Sequence, residues 1–362
     1  MPAGSALSFG AMPAGGKSTT RCTIHGACSG SFSIPSFIHL RQVATLTLWE
    51  QFALRAEQGA PEQELAVRAG INLSEVNARI PFIGVEGGAY AYGLERELPS
   101  IAPRALNEAN DDSLGRITQE AEVLKIYGKD VKTDRAAIDM YGMKAHRRQL
   151  DMNIRALRLR LERDTIKGSA TENGGRNMRG LESLITAGSS QYISNHATAG
   201  PLSRGKLDEL IDAVDVPPSE KVLICGRQMG RILGAAASNP AFAGNVDFRL
   251  NEFGRQATFF NDVQILRTDV DENNEPIQGF TEPNSTASIY CVAFGEGLVT
   301  GIQGFTEVPG GGRQEGLAVY DVGEMHQTPH MLTRIAWYIN LVMENKRAAA
   351  RLDKITAAAP IA

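Results

Sequence analysis

A chain of 362 residues that is 43% hydrophobic and 22% charged can bury one large core or two moderate ones, which excludes a chain disordered throughout. A net charge of −4 and a pI near 5.9 exclude a globally basic nucleic-acid binder, so any contact with a polyanion has to come from local patches. The four cysteines are too sparse for a disulfide framework, and with no apolar run of eighteen residues and no export signal the expectation is a soluble chain in a reducing cytoplasm.

Residues 1–49 contain no Asp or Glu, carry Lys17, Arg21 and Arg41 as their full charges, and are rich in Gly, Ser, Thr and Ala. This composition describes an extended arm, ordered where something else holds it. Ala11 to Ser18 (AMPAGGKS) satisfies the loose form of a phosphate-cradling loop, but no buried strand precedes it and no helix follows, and Pro13 sits inside it. Cys22, His25 and Cys28 offer three soft ligands with no fourth at useful spacing.

From Leu46 to Asn77 the pattern turns helical, with Leu46, Trp49, Phe52 and Ala53 on one face and a second short helix opened by Pro61. Arg79 to Lys132 alternates glycines, short apolar runs and acids, among them Glu95, Glu97, Glu120 and Glu122. So much charge among so few consecutive apolar residues predicts a projecting β-loop that needs a neighbour. Asp134 to Lys167 has no Pro and a single Gly, and its apolar residues recur near helical spacing, which predicts one helix roughly 50 Å long. Arg147, Arg148, Arg155, Arg158, Arg160 and Arg163 make it basic. They describe either a solvated face or a face for an acidic partner segment.

After a Gly-rich link, Leu202 to Val214 predicts an amphipathic helix with Ser203 as N-cap. Lys221 to Cys225 follows as a buried strand, Arg227 to Ser238 as a helix, and Thr258 to Val270 and Ala287 to Phe294 as strands. The turn opened by Asp269, Asp271 and Asn273 begins like a calcium loop, but Asn274 replaces the required Gly and Phe280 the required Glu, so it is read as a solvated turn. The centre of Met331 to Leu352, RIAWYINLVM, predicts a strand. The six histidines stand apart in sequence and no nucleophile motif is present. The pattern calls for no enzyme, no cofactor and no metal.

The succession of polar arm, long β-loop, spine helix (134–167), Arg179-Gly180-Leu181, the LSRGKLDELIDAV helix, an α/β segment and a return strand resembles the major capsid proteins of tailed phages. Their Hong Kong-type shell fold is shared with encapsulin nanocompartments, and the match spans about residues 45 to 356. The resemblance implies an α+β capsid fold in four parts: an arm (1–78), an extended β-loop (79–132), a peripheral domain built on the spine helix (133–216 and 325–362) and an axial α/β domain (217–324). It implies self-assembly as pentamers and hexamers into an icosahedral head enclosing double-stranded DNA, in a virion assembled in the bacterial host cytoplasm. A separate scaffolding protein, a portal and a decoration protein are the implied partners, with weak non-specific DNA contact and no membrane. The loop acids Glu95, Glu97, Glu120 and Glu122 of one subunit would then meet the basic face of Arg147, Arg148, Arg155, Arg158 and Arg163 on the next, and Lys17, Arg21 and Arg41 would serve arm contacts. An encapsulin-like shell holding enzyme cargo is the alternative. An NTP-handling protein would rest on Ala11 to Ser18 alone.

Overall fold

The computed structural model describes residues 45–60, 62–109, 112–237, 244–250, 256–308 and 312–361. The Ala11–Ser18 loop, the Cys22/His25/Cys28 group and Lys17, Arg21 and Arg41 lie outside the described residues, as does the side chain of Glu95.

After the short strand β1 (Leu46–Thr47), Thr47 forms a capping box with Glu50 and sets the start of α1 (Leu48–Glu57). That start decides which face is buried. Leu48 and Gln51 point inward, whereas Trp49 is half exposed and stacks on Phe52 at 5.5 Å, so the apolar face expected from Trp49, Phe52 and Ala53 is one step out of register. In α2 (Glu62–Ile71) the buried Glu64 carboxylate takes Arg55 of α1 at 2.9 Å and Arg68 at 3.0 Å. Arg68 continues to the Leu317 carbonyl at 2.7 Å. These charges are paired and hydrogen-bonded, which is what makes their burial tolerable.

Strands β2 (Pro81–Val85), β3 (Ala89–Glu97), β4 (Arg116–Val123) and β5 (Lys125–Asp134) follow. Among the described residues β3 and β4 pair only with each other, whereas β2 and β5 belong to a seven-stranded sheet. The expected single helix is in fact two, α3 (Arg135–Tyr141) and α4 (Lys144–Lys167). Gly142 causes the break: it sits at φ 73°, ψ 177°, a region essentially restricted to glycine, and its N–H still donates to the Ile138 carbonyl at 2.7 Å. The 24 residues of α4 span about 36 Å. A Cβ at position 142 would meet nothing within 4 Å, so Gly142→Ala costs backbone strain alone. The expected loss is about 1 to 3 kcal/mol of stability, checked by urea denaturation.

The chain continues through α5 (Leu181–Leu184), β6 (Tyr192–Ser194), α6 (Arg204–Asp212), β7 (Lys221–Gly226), α7 (Arg227–Ala236), β8 (Val246–Leu250), β9 (Gln256–Phe260) and β10 (Val263–Thr268). It ends with β11 (Ala287–Ala293), β12 (Val299–Val308), β13 (Gly312–Glu315), β14 (Ala318–Glu324), β15 (His330–Met343) and β16 (Ala349–Ile355). The first sheet runs β1-β2-β12-β15-β14, with β5 added on β15 and β13 on β12; the second runs β6-β16-β11-β7-β10-β9-β8. Strands β12 to β14 thus hydrogen-bond into the sheet of β15, while β16 crosses to the second sheet. β7 and β11 are buried along their whole length, as their unbroken apolar runs require, and Cys225 and Cys291 are free thiols within them. Burial pushes both thiols up to about 12, so they pack as small apolar groups.

The Asp269–Glu275 turn is held by its own acids. The Asp271 carboxylate accepts the N–H groups of Asn273 and Glu275 at 2.9 and 2.8 Å, and Asp269 pairs with Arg158 and Arg227. Among the described residues no group of three His, Cys, Asp or Glu side chains is placed to hold a metal ion.

Candidate assembly surfaces

The β3–β4 hairpin is anchored at one end and unsupported at the other. Tyr92 and Leu94 are buried against Ile302 and Val342 at its base, in a small cluster separate from the two main cores. Toward the tip, Leu98, Ile101, Leu106, Leu114 and Ile117 are exposed, Ile101 and Leu106 to 94%. Isolated exposed leucines are ordinary, but several on one projecting segment describe a surface that something else covers. Glu97 is exposed beside them. Glu122 is mostly buried and paired with Arg179 of its own chain, and Glu120 accepts the Tyr92 hydroxyl at 3.4 Å.

The basic residues of α4 divide into two groups. Arg158 meets Asp269 at 3.5 Å, Arg160 meets Asp164 at 2.9 Å and Glu272 at 3.1 Å, and Arg163 meets Asp164 at 2.9 Å and Glu172 at 3.3 Å. All three are half-buried and serve internal pairing. Arg147, Arg148 and Arg155 are exposed. Of these, among the described residues, only Arg147 has an ion-pair neighbour, Glu62 at a loose 3.9 Å with both groups in solvent. Arg148, Met152 and Arg155 are spaced i, i+4 and i+7, so they share one stripe of the helix surface, and Met152 is 60% exposed. Met140 and Tyr141 of α3 are exposed as well.

No known protein-family description matches this sequence, and neither does any curated protein. Solved structures do match. An encapsulin complex from Synechococcus elongatus aligns over 78% of this chain and 88% of its own, with a TM-score of 0.57 and 18% identity. The capsid of cyanophage A-1(L) aligns over 80% and 93%, with a TM-score of 0.53 and 11% identity. The capsid of a native GTA particle gives 76% and 88%, a TM-score of 0.50 and 14% identity. The chain has the Hong Kong-type shell fold.

Within the shell fold, the residues singled out from sequence separate by role. Glu97, Arg147, Arg148 and Arg155 are presented to solvent, whereas Glu122, Arg158 and Arg163 are engaged inside the chain. The reason is that the C-terminal half of α4 is buried around more of its circumference: it buries Leu157, Leu159, Leu161 and Ile166, and any arginine beside those residues needs an internal acid. The exposed apolar tip of the shell-fold hairpin escaped the sequence reading because PSIAPRALNEANDDSLG has no periodicity. The available signal was three large aliphatic residues in that segment, with Leu98 just before it, among prolines and acids that rule out a core strand.

Proposed function

We propose that this chain is a major capsid protein that self-assembles as pentamers and hexamers into an icosahedral phage head around double-stranded DNA. The observation that carries the reading is a shell fold whose long hairpin projects a bare apolar tip, a surface that another copy of the chain would cover. In this reading 79–132 acts as the extended loop, 133–216 and 325–362 as the peripheral domain and 217–324 as the axial domain, with β12 to β14 structurally continuous with the peripheral sheet. The tip and Glu97 of one subunit lie on the Arg148–Met152–Arg155 stripe of the next: apolar contact carries affinity and charge sets register. Glu95 and Glu120 flank that contact. The acid-free arm, through Lys17, Arg21 and Arg41, meets neighbours or packaged DNA. Scaffolding, portal and decoration proteins are its partners, and the virion is its location after assembly in the host cytoplasm.

An encapsulin-like shell around enzyme cargo is the second reading, favoured by the alignment over 88% of an encapsulin chain. Cryo-electron microscopy of particles made from the full chain, with and without the neighbouring genes, tests both. Thin-walled shells of five- and six-fold rings are expected; DNA inside selects the phage head and protein inside the nanocompartment, and failure to form particles under both conditions removes both readings.

The register argument has its own test. Arg147→Glu, Arg148→Glu and Arg155→Glu together are expected to leave the monomer's melting temperature unchanged, because these groups are exposed, and to lower shell yield severalfold at low salt. Full yield at low salt from that variant would refute it.

A further inference from the structure

Between the C-terminal half of α4, the Leu73–Glu75 turn and the α7/β10 layer lies an open cleft of about 370 Å³, within the size range of small-molecule sites. Ser74, Glu162, Asp269, Arg227, Arg231 and Arg267 wall it, with Leu73 and Glu75 exposed at the rim. Asp269 is occupied by Arg158 at 3.5 Å and by Arg227. Arg231 has no ion-pair or hydrogen-bond partner among the described residues, and Arg267 has only the Thr258 hydroxyl at 3.4 Å. Two guanidinium groups therefore face the cleft with nearly all their donors unused.

Their convergence is built into the fold. Arg227 and Arg231 stand i, i+4 on α7, a like-charge spacing that weakens a helix. Between them Gly230 lets the Arg267 side chain cross the helix: a Cβ there would come within 2.8 Å of Arg267 Nε. Opposite them is Glu162, 2% exposed, whose Oε1 accepts the Asp269 N–H at 2.8 Å while its Oε2 is buried without a hydrogen-bond partner. Burial raises the carboxyl's affinity for a proton, and the Asp269 carboxylate adds to this, while the Asp269 N–H, the nearby Ser74 hydroxyl and the Arg158 charge partly offset it. A cleft with two unpaired cationic forks facing an unsatisfied carboxyl oxygen fits an oxyanion that also carries a proton.

We propose that this cleft binds a phosphate group, with Arg231 and Arg267 donating to its oxygens and one proton held between a phosphate oxygen and Glu162 Oε2. The ligand bridges the spine helix and the axial α/β layer. Sulfate, fully deprotonated at neutral pH, satisfies the arginines but leaves Oε2 unpaired, so the site distinguishes the two ions.

Isothermal titration of the purified full chain at neutral pH and constant ionic strength tests this, with inorganic phosphate and sulfate as probes. Phosphate is expected to bind at least about tenfold more tightly than sulfate, and Arg231→Gln or Arg267→Gln to weaken phosphate by about tenfold or more. Both residues are exposed, so the variants fold. Glu162→Gln places an amide where the orphan oxygen lies and is expected to close the gap between phosphate and sulfate while keeping the dependence on the arginines. Arg249→Gln, on β8 and paired with Asp247 and Asp262, is the control and leaves binding unchanged. Glycerol phosphate separates the two sources of the group: affinity equal to inorganic phosphate assigns a phosphorylated small molecule, and a tenfold loss assigns the free ion. A wild-type chain that binds phosphate no better than the Arg231→Gln variant overturns the site, and equal affinity for phosphate and sulfate in wild type overturns the role of Glu162.

Discussion

Replacing Leu98, Ile101, Leu106 and Leu114 together by Ser is expected to abolish shell assembly while leaving the isolated subunit folded. In the subunit these side chains are 78 to 94% exposed, so removing them takes away almost no internal packing, and surface changes of this kind stay within about 0.5 kcal/mol. Covering them is another matter. Fully burying a Leu or Ile side chain is worth about 1.5 to 3 kcal/mol, so four of them represent about 6 to 12 kcal/mol per contact before ordering costs are subtracted. If a third of the upper figure survives, about 4 kcal/mol, each contact weakens by nearly a thousandfold. No rearrangement of charges recovers that, since exposed pairs contribute about 0 to 1 kcal/mol each. Particle counts by electron microscopy beside a circular-dichroism melt check both halves of the expectation. Wild-type numbers of shells would mean that the tip is not a buried contact, and a lowered melting temperature would mean that it packs within the subunit.

Where the sequence was legible, burial had one period. The uninterrupted apolar runs of β7 and β11 could face nothing but a core on both sides, the long RIAWYINLVM strand buries one face throughout and both toward its end, and α6 and α7 showed one clean stripe between a Gly or Ser start and a Pro, Ala or Asn stop. The order of those parts was enough to suggest the shell fold. What sequence alone left open were choices decided by tertiary contact. Gly142 was one glycine in an otherwise helical stretch, and only its φ of 73° converts it from a tolerated residue into a break. Arg155 and Arg158 look alike in sequence, yet one is exposed and the other sits by Asp269, 111 positions away, because only the latter faces the Asp269–Glu275 turn. Likewise Glu97 and Glu122 lie on paired strands, but Glu122 is at the base of the hairpin, where Arg179 reaches it. The cleft beneath α7 needed four separated segments to converge and left no pattern in any one of them.

The second large effect falls inside the subunit, at Asp164. This carboxylate is fully buried on α4: Oδ2 accepts the Tyr127 hydroxyl at 2.8 Å and Arg160 Nε at 2.9 Å, and Oδ1 accepts Arg163 Nη1 at 2.9 Å. Tyr127 belongs to β5 and in turn accepts the Met178 N–H at 3.3 Å, so one side chain joins the spine helix, the first sheet and the Gly-rich link. Burial, with Asp164 beside it, pushes the Tyr127 hydroxyl well above its usual range, which keeps it a donor throughout the physiological range. The backbone closes around the same point: a Cβ at Gly168 or Gly180 would come within 2.3 or 2.5 Å of the Asp164 carbonyl oxygen. Asp164→Ala removes the acceptor for three donors and leaves the Tyr127 hydroxyl and two half-buried arginines with a shortage of negative charge. Removing one partner from a buried ionic network costs about 3 to 5 kcal/mol, against a whole-domain stability of about 5 to 15 kcal/mol. Asp164→Asn does not repair the site, because its amide N–H₂ turns a donor toward other donors. Tyr127→Phe keeps the arginines paired and is expected to lose only about 1 to 2 kcal/mol, mostly for the Met178 N–H left without its acceptor. Urea denaturation of the three variants gives the order directly. A loss below about 1 kcal/mol for Asp164→Ala would show that Glu172 and Glu272 hold the arginines without it, and that the junction rests on packing rather than on this carboxylate.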